Sequence, residues 1–360
     1  MPKTSRTRLL LLSDTHTTPP APQTFQTPYS HPLPPAQILL HAGDITKVGL
    51  RSEHTLMLET LKRHPAELKI IIAGNHDITL DQGYYNRVGW LRHRYRAPNQ
   101  QDHLARLPKA TQAGQQGGSG AGEGIEGAES PTEIKALYTC PAALACGIHY
   151  MEEETRTFTL PSTGANFTVH ASPYTPEFCA WAFAYPRRED RFNPGPGTAG
   201  TAKSIVPSYP GVDILLTHGP PYGILDQVVG SGESVGCEHL YRAVERARPA
   251  VHVFGHIHEG YGARRVEWET SSSTSAPLAP QTGAAAGIKT VEEIHLDRET
   301  AMEERSAYVD LTSSSERSLR RGEETLFVNA SVVNAEYKGL NAPWLVDLDL
   351  VVDQEMDTGA

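Results

Sequence analysis

Short apolar runs punctuate this 360-residue chain, and most of them end on Asp, Asn, His or Gly. Residues 9–12 read as a short buried strand that ends at Asp14. Residues 38–40 form a second, ending at Gly43-Asp44, and residues 69–73 a third, ending at Gly74-Asn75-His76-Asp77. Between these two, residues 52–64 place Leu56, Met57, Leu58 and Leu61 on or near one face of a helix that Pro65 closes. Residues 167–170, 212–216 and Val251–Phe254 repeat the strand signal, and the last two run into Thr217-His218 and Gly255-His256. A helix is expected over residues 238–248, stopped by Pro249, with closing strands over 326–329 and 344–351. Strand, helix and strand in this rhythm predict a mixed α and β fold with its sheet covered by helices.

Composition limits how much of the chain joins that fold. Hydrophobic residues make up 39%, while Gly and Pro number 31 and 27. Stretches rich in the latter cannot offset their ordering entropy with buried apolar surface. One domain over residues 7–352 is therefore expected, with insertions at about 99–135, 186–206 and 269–322 and a tail at 353–360. The first insertion holds a Gly- and Gln-rich tract at 111–130, and the third a Ser-, Thr- and Ala-rich tract at 270–288. Residues 289–322, charged and mostly polar, are assigned to the same loosely held segment. The Pro-rich residues 19–35 read as an extended loop.

A net charge of −10 without any Lys or Arg block argues against polymeric nucleic acid as a partner. Small phosphate esters remain compatible, because bound cations add positive charge that the formal count omits. Cys140, Cys146, Cys179 and Cys237 form no CxxC pair and are too few for a disulfide scaffold, which fits a reducing, cytoplasmic setting. No apolar run approaches the roughly 20 residues of a membrane span, so no membrane partner is expected.

The polar clusters carry the chemistry. Asp14 and His16 lie two residues apart, on one side of an extended segment. Asp44 follows the second strand, Asn75 the third and His218 a later one, and His256 and His258 again lie two apart after Phe254. These are two carboxylates, one amide oxygen and four imidazoles, all at strand ends, where ligands of open α/β sheets gather. Taken alone, Asp-x-His or Gly-Asn-His-Asp is ordinarily a turn feature. Together they exceed what one ordinary ion takes, and suit two ions about 3.5–4 Å apart sharing a carboxylate. Nitrogen and oxygen donors without Cys favour Mn²⁺, Fe or Zn²⁺. Two dications beside two carboxylates leave a charge of about +2, a field suited to phosphate.

Ser13-Asp14-Thr15-His16, Gly43-Asp44, Gly74-Asn75-His76-Asp77, Thr217-His218-Gly219-Pro220-Pro221 and Gly255-His256-Ile257-His258 occur in the order of the calcineurin-like metallophosphoesterase superfamily, which the chain resembles. Its longer wording is similar to the metallophosphoesterase-domain-containing (MPPED-type) branch. That wording includes Asn75-His76-Asp77-Ile78-Thr79-Leu80-Asp81, residues 172–178, Trp181-Ala182-Phe183, residues 256–262 and Asn329-Ala330-Ser331. The resemblance covers most of residues 8–352 outside the insertions. It implies a four-layer αββα sandwich of two mixed β-sheets flanked by helices, with metals at the carboxyl ends of the strands. It implies that Asp14, His16 and His258 hold one ion, that Asn75, His218 and His256 hold the other, and that Asp44 bridges them. Protein Ser/Thr phosphatases of the superfamily extend the second motif with a further Asp and an Arg. Here Asp44 is followed by Ile45-Thr46-Lys47-Val48-Gly49, which argues against phosphoprotein substrates.

Two cations would turn a bridging water into hydroxide for in-line attack on phosphorus, with the phosphate oxygens on both ions. The leaving alkoxide needs a proton. His76, beside Asn75 and not needed as a ligand, is the expected general acid. Asp77 either orients His76 or bonds the loop backbone. Tyr174 and Tyr222 pack or touch substrate, and Glu259 and Tyr261 are candidates to orient ligands. Trp181 and Phe183 are expected in the core or a pocket wall, and His41 and His252 in the core. Residues 197–204 mimic a P-loop but carry Ala202 where its second Gly belongs, so they are read as a decoy. The expected function is hydrolysis of small phosphate esters, diesters favoured and cyclic nucleotides among them. The alternatives are a Ser/Thr protein phosphatase, or a metal-binding interaction protein with weak catalysis.

Overall fold

The computed structural model describes residues 3–22, 27–94, 128–195, 204–269, 287–337 and 340–352. Its strands, in chain order, begin with β1 (Thr4–Leu12), β2 (Ile38–His41), β3 (Leu68–Ile71), β4 (Ile148–Tyr150), β5 (Glu154–Thr159) and β6 (Ala165–Ser172). They continue with β7 (Thr175–Pro176), β8 (Ala184–Tyr185), β9 (Ile214–Thr217), β10 (Val251–Phe254) and β11 (Gly262–Trp268). The last are β12 (Ile288–Ile294), β13 (Ala307–Asp310), β14 (Glu324–Asn329) and β15 (Trp344–Val352).

Two half-sheets follow from the pairing. In one, β1 to β4 run parallel side by side, β15 lies antiparallel along β1, and β13 runs parallel to β15. In the other, β6, β9, β10 and β14 run parallel, with β5 antiparallel on β6 and β11 and β12 antiparallel beyond β14. Among the described residues the halves meet where Val351 and Val352 face Asn166 and Ala165, and at a bridge between Ser13 and Ser331 past the ends of β1 and β14.

Residue alternation explains why the apolar runs are uninterrupted. Leu9 and Leu11 of β1 point into one core with Ile38, Leu40 and Ile70, and with Val169, Ile214, Leu216, Val253 and Val328 from the other half. Leu10, Leu12, Leu39 and Ile71 point the opposite way. They pack on α1 (Arg51–Arg63) through Met57, Leu58 and Leu61, and on α2 (Pro131–Thr139) through Ile134 and Tyr138. On the second half, Leu215, Phe254 and Phe327 pack on α3 (Glu238–Ala247) through Leu240, Tyr241 and Val244. Each central strand is thus covered on both faces, one by the opposing half and one by helices. This is the mixed α and β fold that was expected. None of the helices described is long and apolar enough to cross a membrane.

The expected third insertion is corrected over residues 287–322. β12 pairs antiparallel with β11, a short helix α4 follows (Arg298–Glu304), and β13 joins β15 with Ala307, Val309 and Leu311 buried. The segment reads as polar because its charges pair across strands and with the turn that follows β13. Arg264 meets Glu293, Lys289 meets Glu267, and Arg317 meets Glu292. Cross-strand ion pairs let a half-solvated strand form without an apolar run. The first insertion likewise gives way to α2, capped by Ser130 with Pro131 in its first turn. In the second, Phe192 is buried and Arg191 pairs with Glu153 and Glu189. The calls on 99–127, 196–203, 270–286 and 353–360, and with them nearly all of the P-loop-like stretch, lie outside the described residues.

Asp347 on β15 ties three strands together. Its buried carboxylate accepts from Arg6 and Arg8 of β1 and from the Tyr308 hydroxyl of β13. Burial pushes this carboxyl up, but the hydrogen bonds from Arg8, Arg6 and Tyr308 outweigh it and hold it at about 2. A carboxyl depressed on folding stabilises the fold above its unfolded value, and loses that contribution as pH falls toward the folded value. Asp347→Asn is therefore expected to cost about 2 kcal/mol near neutrality. Urea unfolding should show the gap between variant and parent closing as pH drops from about 4 toward 2; a gap independent of pH would refute the ionic account.

Candidate metal centre

The parallel strands deliver their carboxyl ends to one place. Past β1, the Asp14 N–H bonds the Gly43 carbonyl, and the His16 N–H bonds the Asp44 carbonyl at 3.0 Å. Past β9 and β10, the His218 carbonyl accepts from the Gly255 N–H. The chain must turn sharply at each end. Asp14, His16, Asp44 and His256 all take positive φ, at 51°, 42°, 51° and 68°. For non-glycine residues this costs roughly 1–3 kcal/mol each, and such strain collects at functional sites. Gly74 and Gly255 allow the closest approaches. A Cβ on Gly74 would collide with Asp44, and one on Gly255 with the Asp14 carboxylate.

Six of the seven expected ligand residues lie within or beside three overlapping clusters. Asp14, His16 and His258 form one, Asp14, Asp44 and His218 another, and His16, Asp44 and His76 the third, each with ligand atoms within 4.8 Å of one another. His258 Nε2 is 3.1 Å from Asp14 Oδ1 and 3.3 Å from His16 Nε2. His16 Nε2 is 3.5 Å from Asp44 Oδ2, and His218 Nε2 is 3.4 Å from Asp44 Oδ1. Asn75 Oδ1 reaches His218 Nε2 at 2.9 Å. The seventh, His256, sets its ring edge-on to His218 with centroids 5.0 Å apart, and its backbone N–H donates to Asp14. Asp14, His16, Asp44, Asn75, His218 and His258 are all buried.

The ring orientations bear on what the cluster can hold. His218 Nδ1 faces the Ala42 carbonyl at 2.9 Å, and His258 Nδ1 faces the Asn334 carbonyl at 3.2 Å. A carbonyl can only accept, so both Nδ1 atoms carry protons. In the neutral rings both Nε2 atoms are then bare acceptors, and they aim at carboxylate oxygens. Only a proton or a metal cation resolves such a meeting. The electrostatics agree. Burial favours neutral His218, yet the Asp44 and Asp14 charges outweigh it and push the ring up to about 9. Burial and the Asp14 charge oppose each other likewise at His258, whose value is raised. Burial pushes Asp14 and Asp44 up, but the neighbouring imidazoles, His258 for Asp14 and His218 for Asp44, hold both carboxyls low. Burial pulls His16 and His256 down to about 3, which leaves neutral rings suited to ligation. His16 Nδ1 is buried without a hydrogen-bond partner. The donor set fits divalent metal ions.

Residues 7–260 match the family model described as calcineurin-like phosphoesterase. The chain belongs to the calcineurin-like phosphoesterase family. Over 259 residues it is 35% identical to metallophosphoesterase domain-containing protein 1 of Homo sapiens, covering 71% of this chain and 62% of that one. The Mus musculus protein of the same name matches equally. A UPF0046 protein of Caenorhabditis elegans is 30% identical over 64% of this chain and 48% of its own length. The chain thus spans less than two thirds of the length of these relatives, and it falls with the MPPED-type branch.

Other expected residues sort themselves by contact. His76 Nδ1 donates to the Lys47 carbonyl at 2.8 Å, and its backbone N–H donates to Asp44 Oδ1 at 2.7 Å. Asp77 does not orient His76. Its carboxylate accepts from the backbone N–H groups of Ile45, Thr46 and Gly74 and from the Thr46 hydroxyl. Burial, with the Asp44 charge, pushes that carboxyl up to about 7. His41 and His252 are core residues, bonded to Thr15 and Thr217. Tyr174 packs under Arg191 and against Phe183, while Tyr222 is exposed. Tyr261 donates to the Ala342 carbonyl, and Glu259 is exposed.

Three contributors escaped the sequence reading. The Ser331 hydroxyl lies 2.9 Å from Asp14 Oδ2. Tyr337 meets His16 and His258 edge-on, at 4.9 and 5.2 Å. Arg92 lies over Trp181, which stacks on His76. The motif Asn329-Ala330-Ser331 was the available signal for the first; the other two have none in residue spacing. Ser331→Ala is expected to weaken metal affinity by roughly 10-fold, because partners that fix a ligating carboxylate are worth that much. Calorimetric titration of the metal-free protein with Mn²⁺ checks this, and unaltered affinity would remove Ser331 from the centre.

Proposed function

We propose that the chain hydrolyses small phosphate esters, phosphodiesters in preference, at a two-metal centre. The observation that carries this is the convergence of imidazole Nε2 atoms, oriented by backbone carbonyls, on the oxygens of Asp14 and Asp44. Asp14, His16 and His258 would hold one ion and Asn75, His218 and His256 the other, with Asp44 common to both. When bound, two divalent ions, Mn²⁺ first among the candidates, supply the Lewis acidity that activates water and binds phosphate oxygens.

The protein's own groups do the rest. Asp14 and Asp44 set the charge of the centre, since two dications beside two carboxylates leave about +2. One diester anion and one hydroxide neutralise that charge, whereas a monoester dianion overshoots it. His76, fixed through Nδ1 by the Lys47 carbonyl, keeps Nε2 for the proton that the departing alkoxide requires. A protein phosphatase reading is weaker, because residues 45–49 lack the Asp and Arg of those enzymes.

Purified protein loaded with Mn²⁺ is expected to carry roughly two metal ions and to turn over bis(p-nitrophenyl) phosphate faster than p-nitrophenyl phosphate. Asp44→Asn should lose metal and turnover together. His76→Ala should keep its metal and lose about 100-fold or more in kcat on a diester with a poor leaving group. Preference for the monoester would overturn the diester reading, and unchanged turnover in His76→Ala would remove its role as acid.

A further inference from the structure

We propose that Trp181 and Arg92 are positioning residues that fix the plane of the His76 ring. This rests on the reading of His76 as proton donor. The three side chains form one stack. The Trp181 and His76 rings lie 4.0 Å apart at 26°, and the Arg92 guanidinium carbon sits 3.7 Å from the centroid of the Trp181 ring.

One hydrogen bond from Nδ1 to the Lys47 carbonyl leaves the His76 ring free to rock about that contact. A flat aromatic surface against its face removes this freedom, and holds the ring beside His16, which it meets edge-on at 4.7 Å, and Asp44, with which both rings cluster. The surface must itself be rigid. Buried Arg92 donates from Nε to the Tyr84 hydroxyl at 2.8 Å, and from Nη2 to the Ala180 carbonyl at 3.0 Å. The Tyr84 hydroxyl donates to the same carbonyl. Asp81 accepts from the backbone N–H groups of Tyr84 and Phe183. The loop is therefore tied on both sides of Trp181 to the segment 81–92. It needs those ties, because Cys179, Ala180 and Phe183 all hold positive φ, near 50°, without being glycine.

A tryptophan beside a phosphoesterase centre would ordinarily be read as a platform for a substrate ring. Both faces of Trp181 are already occupied, one by Arg92 and one by His76. Its loss should therefore act on the chemical step rather than on substrate binding.

The test uses two diesters with the Mn²⁺-loaded full chain. Bis(p-nitrophenyl) phosphate releases an anion that needs no proton near neutrality, while diphenyl phosphate releases one that does. Trp181→Leu is expected to lower the ratio of kcat on diphenyl phosphate to kcat on bis(p-nitrophenyl) phosphate by about tenfold, with KM held within about twofold. Trp181→Phe should restore most of that ratio, and Arg92→Gln should lower it in part. Independently of activity, NMR of the metal-free protein should show the His76 Cε1–H displaced upfield by the indole ring, and released in Trp181→Leu. His76→Ala is the control. If it leaves the ratio unchanged, the donor reading fails and this inference with it. If it lowers the ratio but Trp181→Leu does not, the positioning inference alone is overturned. A rise in KM with kcat retained, or an unshifted His76 proton in the parent, would also overturn it.

Discussion

Two carboxylates, Asp14 and Asp44, are sealed from solvent at the ends of neighbouring parallel strands. A buried charge is expensive unless paired and hydrogen-bonded, and two like charges close together are worse. Much of the surrounding architecture offsets that cost. Asp14 takes the His256 N–H and has the Ser331 hydroxyl within 2.9 Å, and Asp44 takes the His76 N–H. Imidazoles close in from three further strand ends. The left-handed backbone at Asp14, His16, Asp44 and His256, and the bare Cα of Gly74 and Gly255, are what bring these groups within bonding distance. What remains uncompensated is negative charge, and bound cations would balance it.

Backbone carbonyls do the aiming. Ala42, Asn334 and Lys47 each accept the Nδ1 proton of a histidine, namely His218, His258 and His76. Because the acceptor is main chain, ring orientation follows from strand and loop geometry rather than from a second side chain. Asp77 takes a complementary part. Instead of contacting His76 it gathers the N–H groups of the second and third strand-end loops, and so fixes the loop whose Lys47 carbonyl orients His76. A loop carbonyl, not a side chain, thus stands at the Nδ1 atom of His76.

How much of this was legible in the sequence depended on burial and on which atoms act. β1, β2, β3, β9, β10, β14 and β15 were readable because both faces are covered, which forces unbroken apolar runs. The candidate ligand residues stood out for the same reason, since each follows such a run. β11, β12 and β13 were missed because one face is solvated and stabilised by ion pairs such as Arg264 with Glu293, so their composition resembles that of a loop. α2 was missed because it follows directly on a Gly-rich tract. Carbonyls that aim rings leave no trace in residue type. Neither does a stack such as Arg92, Trp181 and His76, whose members are 89 and 16 positions apart in the chain by subtraction of their numbers.

The proposed metal assignment has a structural corollary. Asp14, His16, Asp44 and Asn75 belong to the half-sheet of β1 to β4, while His218, His256 and His258 belong to the half of β9 and β10. Each ion would take ligands from both. Among the described residues the halves are joined by strand pairing at Val351 and Val352, by the bridge of Ser13 with Ser331, where β1 and β14 end, and by the apolar core between them. Ligands drawn from both sides would add to these links, and an ion bound across the seam stabilises the folded arrangement by its own binding free energy. Core packing and metal affinity are then linked: a change that lets the halves slide costs affinity, and metal binding restrains the slide.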